Sequence, residues 1–201
     1  MCIICDGNYD PDMTFLDCSG CQQITSIPQL NLLTRLNCYD CRLLINIPQL
    51  NLLNHLSCGN CPSLINIPQL NLLTRLDCHH CPLLNMLPQL NQLTVLYCYN
   101  CLSLIKIPQL NLLKWLSCFN CPLLVMLPQL KQLIWLACQN CPLLYLPYKL
   151  RLKFNIKPNH MINKIRYQQI KTKRKYRSII GSIILDNTSF YDVLVEIIVN
   201  Y

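Results

Sequence analysis

A repeat solenoid is the fold class this sequence predicts, and three periodic features predict it. Cysteine pairs recur every 20 residues, at Cys18/Cys21, Cys38/Cys41, Cys58/Cys61, Cys78/Cys81, Cys98/Cys101, Cys118/Cys121 and Cys138/Cys141. Leucine keeps the same beat two residues before each first Cys, from Leu16 and Leu36 to Leu136, and again three residues after most second Cys, from Leu44 to Leu144. An Ile/Leu-Pro-Gln-Leu run closes six units, as in Ile27-Pro28-Gln29-Leu30 and Ile67-Pro68-Gln69-Leu70. A unit of this length cannot bury its own apolar face, so successive units must stack into one continuous core. With 52% apolar and 13% charged residues, the chain of 201 is also far from the composition of a disordered protein.

The unit reads L-x-x-L-x-C-x-x-C-P-x-L-x-x-I-P-Q-L-N-L and resembles the leucine-rich repeat over residues 13–147. The near-identical Cys-rich units are most similar to those of leucine-rich repeat proteins of giant viruses of amoebae. The 20-residue period with its Leu-Pro turn also resembles the repeats of bacterial effector ubiquitin ligases. The resemblance implies short parallel strands on a concave face, and a convex side of extended or 3₁₀ segments, since so short a unit leaves no room for a helix. It further implies that the first Cys of each unit faces the core and the second tucks beneath a loop. The Pro favours extended backbone at the residue before it and removes one donor.

Taken in order, residues 1–12 read as a degenerate N-terminal cap, because Cys2/Cys5 precedes Cys18 by 16 residues and falls out of step. Residues 13–147 hold seven units, the last one residue short at Cys141-Pro-Leu-Leu-Tyr-Leu-Pro147. Residues 148–177 form a basic segment of uncertain fold that carries 11 of the 17 Lys and Arg and no acid. Residues 178–201 are rich in Ile and Val and read as an apolar C-terminal cap over the open end.

The 16 cysteines admit three readings. Cys38, Cys41, Cys58 and Cys61 have the spacing of a four-thiolate zinc site, and rungs about 4.8 Å apart would permit disulfides. The repeat register favours the third reading, reduced thiols packed as small hydrophobes, and no metal or cofactor is expected. Cys78-His79-His80-Cys81 offers four ligand types in a row. With both Cys facing inward they cannot converge on one ion, so the two His are expected to be exposed loop residues.

Catalysis finds little footing. Within 22–147 only Asp40 and Asp77 are acidic, and the four Gly are too scattered for a phosphate loop. Buried thiols are poor nucleophiles. A non-enzymatic protein-binding scaffold is therefore expected, using the concave face. Alternation along each strand turns Phe15, Arg35, His55, Arg75, Val95, Trp115 and Trp135 outward as one column, and Asp17, Asn37, Ser57, Asp77, Tyr97, Ser117 and Ala137 as the next. A third column one step past the first Cys contains Tyr39, His79, Tyr99 and Phe119. The candidate contact residues are Arg35, His55, Arg75, Asp77, His79, Tyr97, Tyr99, Trp115, Phe119 and Trp135. Tyr97, Tyr99, Trp115, Phe119 and Trp135 are expected to form one aromatic patch.

The alternative function is nucleic-acid or anionic-membrane binding through the basic segment, with Lys171, Lys173, Arg174, Lys175 and Arg177 as phosphate contacts. Neither a secretory leader nor an apolar run of membrane-spanning length is evident. The expectation is a monomer in a reducing cytoplasm, the host's if the chain is viral, with a host factor among the candidate protein partners.

Overall fold

A computed structural model of the chain describes residues 2–155. The rest of the basic segment, with Lys171, Lys173, Arg174, Lys175 and Arg177, and the expected cap at 178–201 lie outside the described residues.

Seven three-residue strands form one parallel sheet in chain order: β1 Phe15–Asp17, β2 Arg35–Asn37, β3 His55–Ser57, β4 Arg75–Asp77, β5 Val95–Tyr97, β6 Trp115–Ser117 and β7 Trp135–Ala137. Each residue pairs with the one 20 positions on, as in Phe15 with Arg35 and Leu56 with Leu76. Seven strands in this register enclose about six turns of a parallel β-solenoid. The predicted fold class therefore holds at the level of a repeat solenoid with short parallel strands.

The core follows directly from the period. In the second unit Leu33, Leu36, Cys38, Cys41, Leu44, Ile47 and Leu50 are all buried, and later units repeat the set. Stacking these positions turns seven weak apolar faces into one continuous interior. The end of the stack is visible in the burial: Leu136 on the last strand and Cys138 just after it are half-buried, whereas Leu116 and Cys118 one turn earlier are fully enclosed.

Opposite the sheet, the backbone is extended, with isolated parallel bridges such as Met86 to Lys106 and Lys106 to Met126. Among the described residues no 3₁₀ turn occurs there, so of the two expected conformations the extended one is found. Proline explains the choice, because it steers the preceding Ile or Leu into extended geometry in every unit. The adjacent glutamines supply donors at this proline-interrupted strip. Gln29 Nε2 donates to the Gln49 carbonyl at 2.7 Å and Gln109 Nε2 to that of Gln129 at 2.6 Å. Gln49, Gln69 and Gln89 continue the same ladder.

A second ladder runs inside. The Cys41 thiol donates to the Cys18 carbonyl at 3.2 Å, Cys61 to Cys38 at 3.1 Å, and so on to Cys141, which donates to Cys118 at 3.0 Å. A sulfur at this position thus does more than fill space: it pairs a buried carbonyl of the preceding turn.

The basic segment begins with a short helix, α1 Tyr148–Lys153. Its Leu150 is buried, and Lys153 Nζ donates to the Leu133 carbonyl at 2.5 Å. Among the described residues no helix is long and apolar enough to cross a membrane.

Candidate functional site

The parallel register places the outward residues of successive strands side by side. Along the first column, Phe15, Arg35, Arg75, Trp115 and Trp135 are exposed, with His55 and Val95 half-buried between neighbours. The column is basic over β2 to β4 and aromatic over β6 and β7. Burial, with the charges of Arg35 and Arg75 on either side, holds His55 below its ordinary value. The Trp115 and Trp135 rings lie 6.1 Å apart at 32°, each about two-fifths exposed (42% and 40%).

The third column stacks more tightly. His79 lies on Tyr99 with centroids 4.4 Å apart and planes at 12°, and Tyr99 lies on Phe119 at 4.5 Å and 7°. Tyr39 reaches His79 at 5.8 Å across Gly59. Glycine makes room at that step: a Cβ on Gly59 would come within 2.6 Å of the His79 ring, which would then have to shift. In the middle column Asp77 hydrogen-bonds the Nδ1 of His79, and the Arg75 guanidinium lies 5.1 Å from the centre of the Tyr97 ring. Burial, then the nearby Asp77 and Tyr39, push the Tyr99 phenol upward. At the opposite end, Asp17 accepts from the Ser19 hydroxyl and N–H and from Asn37, which hold its carboxyl down despite some burial.

All ten candidate contact residues stand in the three outward columns. Among the five aromatics, Trp115 meets Trp135, Tyr99 stacks on Phe119, and Tyr97 lies under Arg75 of the neighbouring column. Two residues outside the expected patch join the stack, His79 and Tyr39. His79 also departs from the expectation of an exposed loop histidine: only 13% of its side chain is exposed, because Tyr99 and Asp77 cover it. His80 is exposed and accepts from Asn100 Nδ2 at 2.9 Å. Cys78 and Cys81 are fully buried beneath, so the four-residue run does not converge.

The 16 thiols are all unbridged. Cys38, Cys41, Cys58 and Cys61 are each fully buried. Burial pushes the Cys58 and Cys118 thiols well above their ordinary value. Among the described residues the one group with metal-sized geometry is Cys2, Cys5 and Cys21, whose sulfurs all lie within 4.8 Å of one another. Sequence reading set the first two aside because they fall out of step. The hydrogen bond to Cys21, then burial, push Cys5 up to about 12. Cys21 behaves oppositely: against its burial, the Gln23 N–H, the Cys2 and Cys5 thiols and the Ile24 N–H hold it down to about 7.

No family model, no curated protein and no solved structure matches this chain.

Proposed function

We propose that the chain is a leucine-rich-repeat scaffold that binds a protein partner, without catalysis, through the outer face of its sheet. The observation that carries this reading is the exposed Trp115–Trp135 pair, at one end of a column that also carries Arg35 and Arg75. Large apolar rings left in water on a rigid surface, with guanidinium groups further along the same column, have the composition of a binding hot spot. Seven rungs span about 30 Å, enough for an interface of about 800 Å² on this side. The partner is a host-cell factor if the viral resemblance reflects origin, and the compartment is then the host cytoplasm. Scarcity of acids in the repeats and enclosure of the ladder thiols support a non-enzymatic role.

Replacing both tryptophans, Trp115→Ala with Trp135→Ala, is expected to weaken partner binding by at least about 30-fold, since a hot-spot truncation costs about 2 kcal/mol or more. The solenoid should survive, because both rings project from the sheet rather than into the core. Titration of the partner against folded double variant measures this, and unchanged affinity would remove the tryptophans from the interface.

A second reading rests on the uniform charge of residues 148–177, which carry +11 in a chain of net +8. Nucleic acid or an anionic membrane held there would bind with steep salt dependence, because phosphate contacts release counterions. Substituting Lys171, Lys173, Arg174, Lys175 and Arg177 should flatten that dependence under this reading and leave it unaltered under the first.

A further inference from the structure

We propose that Cys2, Cys5 and Cys21 bind one zinc ion, which staples the N-terminal turns to the first coil of the solenoid. From the second unit to the last, the second Cys is spoken for: its thiol donates to the carbonyl of the first Cys one turn back, as Cys41 does to Cys18 and Cys61 to Cys38, or lies buried in the same column. Cys21 opens that column and has no preceding turn to supply such a carbonyl. The chain places two more sulfurs there instead. Cys5 Sγ lies 3.4 Å from Cys21 Sγ, and Cys2 Sγ lies 3.6 Å from Cys5 Sγ.

Those separations match what zinc requires. Tetrahedral Zn–S bonds of about 2.3 Å put neighbouring sulfurs about 3.8 Å apart, whereas a disulfide needs about 2.05 Å. The local backbone is built to present them. Asp6 N–H bonds the Cys2 carbonyl at 3.1 Å and Asn8 N–H that of Ile3 at 3.1 Å, closing tight turns, and Gly7 takes the left-handed φ of 68°. Cys2, Ile4, Cys5, Tyr9 and Met13 then pack against the first coil.

In sequence, the ligands belong to two Cys-x2-Cys hooks, Cys2/Cys5 and Cys18/Cys21. Cys18 itself is turned inward, its thiol 3.5 Å from the Asn37 carbonyl, so the three other sulfurs are the protein ligands and a solvent molecule takes the fourth position. Entry is open, because Cys2 and Cys5 are only half-buried whereas the inner ladder thiols are enclosed. The thiols bind as thiolates and release their protons to solvent. The metal would do for this end what terminal repeats do in other solenoids, fixing a cap over the first coil.

The test uses the full chain, purified under reducing conditions, stripped with chelator and titrated with zinc alone, with cobalt(II) as a spectroscopic substitute. The expected result is one zinc per chain, thiolate-to-cobalt charge-transfer absorption, and slower hydrogen exchange over residues 2–17 when metal is bound. Cys5→Ser and Cys2→Ser should each weaken zinc binding at least about 100-fold, while Cys138→Ser at the far end binds as the parent does. Circular dichroism establishes that each variant is folded. Failure to bind zinc, equal binding by Cys5→Ser, or a Cys5–Cys21 disulfide in the reduced preparation would each overturn the site.

Discussion

The column just before the second Cys shows how the choice of residue answers one backbone need. Gly20, Asp40, Asn60, His80, Asn100, Asn120 and Asn140 all adopt left-handed φ, between 53° and 71°. Glycine does so freely and Asn or Asp at small cost, whereas most side chains crowd the neighbouring carbonyl there. Asn120→Ala is therefore expected to destabilise the fold by about 1 kcal/mol, and Asn120→Gly to leave it nearly unchanged. Urea unfolding of the two variants checks this, and equal losses would assign the cost to the side chain instead. The signal was present in the sequence, as a Gly/Asp/Asn-rich column at a single register position beside the cysteines. The Cys2–Cys5–Cys21 group was harder to read. Its members become neighbours only when the N-terminal turns fold back, and the broken period gives no such hint.

At the scale of the element, each coil is held to the next by strand hydrogen bonds and two side-chain ladders of different worth. The thiol ladder is buried, so truncating Cys101→Ala leaves the Cys78 carbonyl without this donor and opens a small void. The expected cost is about 2 kcal/mol. The glutamine ladder is exposed, and Gln69→Ala lets water take over the Gln89 carbonyl, so about 1 kcal/mol or less is expected. Denaturation midpoints of the two variants should differ in that order, and a larger loss for Gln69→Ala would reverse the ranking of the ladders. Strand positions and register were legible because a fixed period converts directly into alignment: Arg35, His55 and Arg75 stand in a row since they are 20 residues apart. Which rings stack on one another within a column was not. Ring direction depends on what lies at the next rung, and the bare Gly59 step that admits His79 is a property of the packed column.

Across the whole molecule, the interior thiols whose environment is set mainly by burial resist ionisation. Burial pushes Cys58, Cys98 and Cys118 well above the ordinary thiol value of 9.0. Below pH 9 both folded and unfolded chains keep these protons, so stability is unaffected by them. Above it the unfolded chain releases protons that the folded one retains, and stability falls as pH rises, by about 1.4 kcal/mol per pH unit for each thiol. Unfolding midpoints at pH 8 and pH 10 should show this loss, and equal midpoints would mean that the thiols ionise in place. The outer face of the same stack carries the central functional claim. Its most direct test is a nuclease-treated pull-down from cell lysate with three full-length baits: the parent chain, the chain with Trp115→Ala and Trp135→Ala, and the chain with Lys171, Lys173, Arg174, Lys175 and Arg177 replaced by Ala. The account predicts that the parent and the charge-reduced chain capture the same discrete protein and that the tryptophan variant loses it. Capture that survives without the tryptophans but disappears with the basic residues, or with nuclease, would contradict it.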